Sequence, residues 1–136
     1  MSNNKKYFDT NKSTWNEKVA IHAKSDMYDL EAFKNGKSSL MPYELNALTD
    51  VKDKKMLHLQ CHFGQDTLSW SRLGANCVGV DLSDTGIKLA QDLNTELALN
   101  AKFVCCNVLD TSKFVNDAFD IVYTSYGTIG WLPDLK

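Results

Sequence analysis

The stretch Met56-Leu57-His58-Leu59-Gln60-Cys61-His62-Phe63-Gly64 decides the fold of this chain. Its first four residues form a short apolar run, which is typical of a strand buried in a parallel sheet. The residues after them end on a glycine, which indicates a turn at the carboxyl end of that strand. A helix is predicted to follow from about Gln65 to Leu73 and to end at Gly74. The stretch therefore predicts the strand, turn and helix that open a βαβ unit.

Three more apolar runs follow, with room for short helices between them. They are Cys77 to Val80, Phe103 to Cys105 and Phe119 to Tyr123. A helix that begins at Ser83 or Asp84 and runs to about Leu99 is predicted between the second and third strands, because apolar residues recur there near helical spacing. This alternation predicts right-handed βαβ units and a parallel sheet.

The residues before Met56 carry a different pattern, of helices and loops. Helices are predicted over 14–23 and 26–34, and a third from Pro42. The change of pattern divides the chain into a helical segment, 1–55, and an alternating segment, 56–136.

Composition is that of an ordinary globular protein. The 136 residues are 43% hydrophobic and 24% charged, which predicts one domain with a buried core. A net charge of −2 argues against the basic patch that nucleic-acid binding needs. No apolar run approaches the ~20 residues of a membrane span, and no apolar core of a secretory signal follows the first residues. We therefore expect no nucleic-acid or membrane partner, and a cytoplasmic protein whose four cysteines are reduced.

The residues just after each strand are the candidates for ligand binding, because ligands of parallel sheets bind at the carboxyl ends of the strands. These strand ends are 60–64, 81–83, 106–108 and 124–127. A carboxylate at Asp81 can accept hydrogen bonds from both ribose hydroxyls of an adenosine. That geometry serves NAD and S-adenosylmethionine alike, and Asp81 also suits a plain helix cap before Ser83.

The first strand end resembles the cofactor motif of class I S-adenosylmethionine-dependent methyltransferases. Those enzymes typically show an acidic residue, an apolar residue and then G-x-G-x-G. Here His58 falls on the acidic position, Gln60 and His62 fall on the first two glycines, and Gly64 alone is kept. A bacterial subset of the family carries a similar Leu-Gln-Cys-His-Phe-Gly-x-Asp-Thr stretch. The resemblance runs from about residue 7 onward and includes Trp15-Asn16, His22, Tyr28, Phe33 and Gly36.

The resemblance implies a Rossmann-like α/β fold with parallel strands in the order 3-2-1-4 and the later strands of the seven-stranded family sheet absent. It implies S-adenosylmethionine as the cofactor and segment 1–55 as a helical lid over it, although the aromatic residues of that segment suit core packing almost as well. The implied cofactor-binding residues are Gln60, Cys61, His62, Gly64, Asp66, Asp81, Leu82, Asn107, Val108 and Ser125.

Several of these positions carry a specific expectation. Asn107 falls where the family contacts the adenine amino group, and the N–H of Val108 would face adenine N1, although Asn107 also suits an ordinary turn. Ser125 and Tyr126 are the expected contacts in the last strand end. In the family, the carboxylate that His58 replaces holds the methionine end of the cofactor. We expect Asp66 or a group of the N-terminal segment to compensate, or else His58 to be simply packed within the strand.

Three other functional interpretations of the sequence compete with a methyltransferase. A nicotinamide oxidoreductase needs G-x-G-x-x-G, but Gln60, His62 and Gln65 occupy the three glycine positions. A zinc site of His58, Cys61 and His62 requires a helix, whereas a strand and turn would make the three side chains diverge, so no metal is expected. A non-catalytic cofactor-binding module or a methyltransferase remnant is favoured by the altered glycine motif and the short chain.

The function implied by the resemblance is methyl transfer to an unidentified, small-molecule acceptor. The acceptor and the catalytic residues are unknown, because later strands and loops normally supply them. The chain looks truncated at Lys136. We therefore expect weak cofactor binding and no catalysis from this chain by itself, and self-association through the exposed edge of the fourth strand.

Overall fold

The computed structural model describes residues 2–25 and 28–125, with residues 2 and 3 described by their backbone alone. The N-terminal part holds helices α1 (Ser2–Ala23), α2 (Leu30–Lys34) and α3 (Pro42–Ala47). The alternating part holds β1 (Lys55–Leu59), α4 (Gln65–Arg72), β2 (Asn76–Asp81), α5 (Asp84–Glu96), β3 (Lys102–Cys105), a 3₁₀ turn (Val108–Asp110), α6 (Thr111–Phe114) and β4 (Ile121–Tyr123). The predicted contact of Tyr126 lies outside the described residues.

The four strands form one parallel sheet in the order β3-β2-β1-β4, which confirms the predicted fold and strand order. Strand β1 is central, and its His58 is aligned with Gly79 of β2 on one side and with Tyr123 of β4 on the other. The carboxyl ends of all four strands therefore meet at one edge of the sheet, where the candidate residues lie.

Apolar residues cover both faces of this sheet. The larger core cluster contains Met56, Leu68, Trp70, Ile87 and Phe103, and most of its members are buried. A smaller cluster on Leu57, Val80 and Cys106 includes the partly buried Phe119. Within residues 2–25 and 28–125 no helix is both long and apolar enough to cross a membrane.

Some element boundaries differ from the prediction. Helix α1 begins at Ser2 instead of Thr14, so the spacing that suggested a cap lies inside the helix. Helix α2 begins only at Leu30, because the Asp29 side chain caps it by accepting from the N–H of Ala32 at 3.1 Å.

Two more boundaries differ farther along the chain. Helix α5 ends at Glu96 instead of Leu99, since Ala98 turns into the left-handed region at φ 54°. Strand β4 starts at Ile121 instead of Phe119, and Phe119 packs against the smaller core cluster.

Candidate cofactor-binding site

The turn after β1 retains an unusual backbone at all three positions of the G-x-G-x-G motif. Gln60 has φ 55°, His62 has φ 57° and Gly64 has φ 85°, so all three lie in the left-handed region. A non-glycine residue adopts this conformation at a cost of about 1–2 kcal/mol, and histidine does so more readily than most. The motif has thus lost two glycines without losing the backbone shape that glycine normally supplies.

Backbone hydrogen bonds hold this strained turn in place. The N–H of Cys61 donates to the carbonyl of Val80 at 2.9 Å, and the N–H of Gly64 donates to the carbonyl of Cys61 at 3.0 Å. The N–H of His62 donates to Oδ2 of Asp81 at 2.8 Å. Strand β2 and its terminal carboxylate therefore determine the path of the turn that follows β1.

The remaining glycine of the motif is needed for internal packing as well as for its φ. A Cβ at Gly64 would lie 2.8 Å from the ring of Phe103 and 3.0 Å from Cβ of Ala90. A Cβ at Gly79 would meet the same ring at 2.8 Å and Sγ of Cys61 at 2.9 Å. The Phe103 ring thus occupies the space beside both glycines and keeps the turn close to β2.

Asp81 ends β2 with both carboxylate oxygens turned to backbone donors. Its Oδ1 accepts from the N–H of Ser83 at 2.8 Å, while Oδ2 accepts from His62. Burial raises the pKa of Asp81, and the backbone hydrogen bonds of Ser83, His62 and Leu82 counteract that rise. Because each carboxylate oxygen has two lone pairs, Asp81 keeps acceptor capacity for a ligand's hydroxyl groups. Ser83 itself caps α5 by accepting from the N–H of Gly86 at 3.0 Å.

His58 is packed within β1 and lines the cavity described below. It is 2% exposed, and its Nδ1 lies 2.6 Å from the hydroxyl of Thr67. Its Nε2 has no hydrogen-bond partner among the described residues. Burial lowers the pKa of His58 to about 3, so the ring is neutral at physiological pH.

An aromatic cluster from the N-terminal segment covers the turn. It consists of Trp15, His22, Tyr28, His62 and Phe63, with ring centroids of neighbouring members 4.5–6.4 Å apart. Nδ1 of His22 lies 3.0 Å from Nε2 of His62. Burial and the adjacent His22 lower the pKa of His62 to about 4.

Asp66 lies at the start of α4 in a network of hydroxyl groups. Its Oδ1 accepts from the hydroxyl of Ser39 at 2.5 Å, and its Oδ2 accepts from the hydroxyl of Ser125 at 3.3 Å. Burial raises the pKa of Asp66, the Ser39 hydrogen bond lowers it, and the nearby carboxylate of Glu44 raises it. Glu44 is itself buried, and its Oε1 accepts a hydrogen bond from the hydroxyl of Tyr123.

Asn107 follows β3 and acts as the cap of the 3₁₀ turn. Its Oδ1 accepts from the N–H of Leu109 at 3.0 Å, as an ordinary turn asparagine does. The second lone pair of that oxygen remains for a ligand donor.

These parts enclose one cavity of about 700 Å³, within the range of small-molecule and cofactor sites. All ten predicted residues line it: Gln60, Cys61, His62, Gly64, Asp66, Asp81, Leu82, Asn107, Val108 and Ser125. The N-terminal segment adds a wall that includes Phe8, Trp15, Tyr28 and Ser39. Phe8 and Ser39 were not predicted, because no motif marks them and only the tertiary fold brings them to the sheet edge.

The three side chains considered as zinc ligands diverge in the structure. His58 is turned to Thr67, Cys61 directs its thiol at the carbonyl of His62 at 3.7 Å, and His62 is turned to His22. In the described ranges, no group of three or more His, Cys, Asp or Glu residues is arranged to hold a metal ion.

The cavity residues fit S-adenosylmethionine in two respects. Asp81 offers acceptors at the end of β2, as ribose hydroxyls require. His58 and His62 both line the cavity, and Nε2 of the first and Nδ1 of the second are buried without a partner in the part of the chain that the structure describes. Because an unsatisfied buried polar atom costs about 1–3 kcal/mol, both are suited to pair with polar groups of a ligand.

Three solved structures with a similar fold are informative, and one of them is a methyltransferase by its own description. A TehB-like SAM-dependent methyltransferase from Corynebacterium glutamicum matches at 21% identity and a TM-score of 0.63, over 86% of this chain and 58% of its own. TehB from Haemophilus influenzae matches at 16% identity and a TM-score of 0.59, over 68% of this chain and 32% of its own. At these identities the two show the fold alone.

A third structure is more similar in sequence. It is associated with the conversion of a disulfide bond into a thioacetal group during echinomycin biosynthesis, and it matches at 30% identity and a TM-score of 0.53, over 61% of this chain and 35% of its own. The chain thus spans between 32% and 58% of the length of these three structures. Among curated proteins, the comparison found no match.

The family comparison covers the whole alternating segment. The model of the methyltransferase domain family matches residues 56–136, which is more than half of the chain. The match begins in β1 and includes every strand of the sheet. Together with the strand order, this match shows that the chain belongs to the methyltransferase domain family, whose cofactor is S-adenosylmethionine.

Proposed function

We propose that this chain binds S-adenosylmethionine in the cavity at the carboxyl ends of its strands, as the cofactor-binding part of an enzyme that transfers the methyl group to a small-molecule acceptor. One observation carries the proposal: nine residues that the sequence places at four separate strand ends, together with Asp66 at the start of α4, all line a single cavity. The left-handed turn at Gln60, His62 and Gly64 supports it, because the backbone that approaches a nucleoside cofactor is preserved despite two replaced glycines.

Each strand end has a role in this proposal. Asp81 accepts the ribose hydroxyls, Asn107 and the N–H of Val108 contact the adenine, and the turn from Gln60 to Gly64 lies along the methionine side. When bound, the cofactor supplies a methyl group that its sulfonium already activates. The residues of the chain then have to orient the acceptor in line with that carbon and exclude water, which lowers the barrier without a covalent step on the protein.

Segment 1–55 forms the lid of the site in this proposal, over a partial cofactor-binding domain of residues 56–136. Its contacts with the strand ends support that role. Asn16 of α1 accepts from the hydroxyl of Ser83 and donates to the carboxylate of Asp84 at 2.9 Å. Gln65 donates to the carbonyl of Tyr28 at 2.6 Å.

A small molecule is the acceptor class that the charge distribution favours. The chain has a net charge of −2, whereas a nucleic-acid acceptor calls for a basic surface. The walls of the cavity also include partly buried carboxyl-bearing and hydroxyl-bearing side chains, Asp66, Ser39 and Ser125, that can position a polar acceptor.

Transfer of a labelled methyl group tests this proposal. The protein is incubated with S-adenosylmethionine labelled in the methyl group and with a small-molecule extract, and the label is followed by chromatography. Label in a new small molecule with the wild type, and its loss in Asp81→Ala, would support the proposal. Cofactor binding without transfer to any acceptor would instead support a non-catalytic cofactor-binding module.

A further inference from the structure

Asp66 lies on the flank of the cavity that the proposed cofactor contacts leave free. Those contacts run from Asn107 at the end of β3, through Asp81 at the end of β2, to the turn after β1. Asp66 instead contacts Ser39 of the N-terminal segment and Ser125, which follows β4. Because β3 and β4 lie at opposite ends of the strand order, an acceptor can reach Asp66 without displacing the adenosine.

The corner formed by Asp66, Ser39 and Ser125 presents hydrogen-bond acceptors to the cavity, which all three residues line. The hydroxyl of Ser39 donates to Oδ1 of Asp66 at 2.5 Å, and that of Ser125 donates to Oδ2 at 3.3 Å. A hydroxyl has one proton, so neither serine keeps a donor, while the serine and carboxylate oxygens keep lone pairs. The corner therefore calls for a ligand group that only donates hydrogen bonds.

The charged side chains of the cavity wall favour a positive ligand. Among the described residues, the wall contains the carboxylates of Asp29, Asp66 and Asp81 and one lysine, the exposed Lys37, which gives a formal charge of −2. The two histidines of the wall are neutral, since burial lowers the pKa of each. S-adenosylmethionine carries a sulfonium, an ammonium and a carboxylate, and thus a single net positive charge. One negative charge of the wall remains for a second ligand to balance.

No cation of the described chain offsets the charge of Asp66. None of the ion pairs within residues 2–25 and 28–125 includes it. Burial and the nearby carboxylate of Glu44 both raise the pKa of Asp66, so these surroundings disfavour its charged form. A bound cation would stabilise that form, and positive charge on the ligand is therefore favoured at this corner.

We infer that the methyl acceptor is an amine whose protonated nitrogen is held by Asp66, with the oxygens of Ser39 and Ser125 beside it. This inference rests on the proposed function and names its acceptor class. An ammonium group has several N–H donors, no lone pair and a positive charge, which matches the corner in all three respects. A hydroxyl acceptor has one donor and no charge, and its own lone pairs find no donor from these three side chains.

Methyl transfer to this acceptor requires that the nitrogen lose one proton. The carboxylate of Asp66 lies beside it and takes that proton. The lone pair left on nitrogen then forms the bond to the methyl carbon, while the bond from that carbon to sulfur breaks and its electron pair stays on sulfur. The products are a methylated amine and a neutral thioether.

The α-ammonium group of the cofactor is the rival ligand for this corner, because its chemistry is the same. The two interpretations differ in what happens when the cofactor product is already bound. If the corner holds the acceptor, it stays open to a second amine beside S-adenosylhomocysteine. If it holds the cofactor, S-adenosylhomocysteine closes it.

The test uses two probes of similar shape, benzylamine and benzyl alcohol. Both carry a ring, because the cavity wall includes the aromatic side chains of Phe8, Trp15 and Tyr28, and only benzylamine is a cation at pH 7. Each probe is titrated calorimetrically into the wild type, Asp66→Asn and Asp29→Asn, with and without saturating S-adenosylhomocysteine. Asp29→Asn is the matched control, since it removes a carboxylate from the same wall and asparagine still caps α2.

The wild type should bind benzylamine at least about tenfold more tightly than benzyl alcohol, with and without S-adenosylhomocysteine. Asp66→Asn should bind both probes equally, whereas Asp29→Asn should keep most of the preference. All three proteins should bind S-adenosylhomocysteine with similar affinity, which also reports that each variant is folded.

The other outcomes overturn either the inference or the proposed function. A preference that vanishes when S-adenosylhomocysteine is added, or loss of S-adenosylhomocysteine affinity in Asp66→Asn, assigns the corner to the cofactor and overturns the inference. A preference that survives in Asp66→Asn, or a wild type that binds the probes equally or not at all, overturns it as well and leaves the proposed function standing. A wild type that does not bind S-adenosylhomocysteine rejects the proposed function itself.

The charge of the methylated product provides a second readout. In the experiment with labelled S-adenosylmethionine and a small-molecule extract, the labelled product of the wild type should be retained by a cation exchanger at pH 7. A labelled product that passes through uncharged would support the proposed function and contradict an amine acceptor.

Discussion

The backbone N–H of His62 donates to Oδ2 of Asp81 at 2.8 Å, so the carboxylate at the end of β2 holds the turn that follows β1. The other oxygen of the same carboxylate accepts from the N–H of Ser83 at the start of α5. Asp81 thereby connects two sides of the cavity without any ligand. This relationship explains how a turn with two non-glycine residues at positive φ keeps its shape.

The first prediction concerns the left-handed residue Gln60, with φ 55°. Gln60→Gly should change the free energy of unfolding by less than about 1 kcal/mol, because relief of backbone strain is offset by a more flexible unfolded chain. Gln60→Val should destabilise by about 1–3 kcal/mol, since a β-branched residue is a genuine outlier there. Urea denaturation measures the free energy of unfolding of both variants. Gln60→Asn is the control, because asparagine tolerates this φ. Equal stability of the Val and Asn variants would contradict the account.

The second prediction separates the two constraints on Gly64. Gly64→Ala should destabilise by the cost of a positive φ and also by overpacking against Phe103, in total about 2–4 kcal/mol. Gly36→Ala is the matched control, because Gly36 has φ 108° and nothing within 4 Å of an added Cβ. Thermal melts should therefore show a clearly larger loss at Gly64. Similar losses at both positions would mean that contact with Phe103 does not matter.

The third prediction concerns pH. Because burial lowers the pKa of His58 from 6.5 to about 3, the unfolded chain binds one more proton than the folded chain between those values. The contribution of this group to the free energy of unfolding is therefore complete above about pH 6.5. Below that pH it falls, by about 1.4 kcal/mol per pH unit for each such group. His62, with a pKa lowered to about 4, acts in the same direction.

Urea titrations at about pH 7.5 and about pH 5.5 measure this effect. The wild type should be less stable at the lower pH, and the difference should shrink in His58→Gln, which has no titratable ring. A wild type that is equally stable at both pH values would show that His58 is not buried in its neutral form.

The fourth prediction concerns the edge of the sheet. Strand β4 pairs with β1 on one side and with no other strand in the described part of the chain, and Val122 at its centre is 63% exposed. An uncharged strand edge is a template for pairing with a second chain, and lysine suppresses such pairing. Size-exclusion chromatography with light scattering should show association that Val122→Lys weakens, whereas Lys113→Ala, in α6, should leave it unchanged. A wild type that stays monomeric at high concentration would contradict the expected self-association.

The βαβ units and the cavity location could be predicted because both depend on local patterns, whereas the strand order was implied by the resemblance to class I methyltransferases. The apolar run at Met56 and the spacing from Gly64 to Asp81 indicate a βαβ unit, and parallel strands bring their carboxyl ends together. By contrast, the extent of α1 could not be predicted, because residues 2–13 lack a strong apolar stripe and their helix is marked only by weak local pairs such as Lys5–Asp9 at 2.9 Å.

The hydrogen-bond partners of side chains were harder to predict than the places of those residues in the fold. The sequence shows Thr67 nine positions after His58, but only the helix–strand geometry reveals that the two side chains touch. In the same way, the carboxylate of Glu44 reaches Tyr123 through tertiary folding across 79 positions, and no short motif signals such a contact. Local pattern thus indicates which residues meet at the sheet edge, while their protonation and pairing depend on packing.

Calorimetric titration of S-adenosylhomocysteine into the wild type, Asp81→Ala and Asp92→Ala tests the central claim most directly. Asp92 is the matched control, because it lies on α5 outside the cavity and its side chain is 63% exposed. The account predicts binding by the wild type and Asp92→Ala, and at least about tenfold weaker binding by Asp81→Ala, which loses hydrogen bonds to a charged acceptor. Equal affinity of the wild type and Asp81→Ala would contradict the claim that the cofactor binds at the carboxyl end of β2.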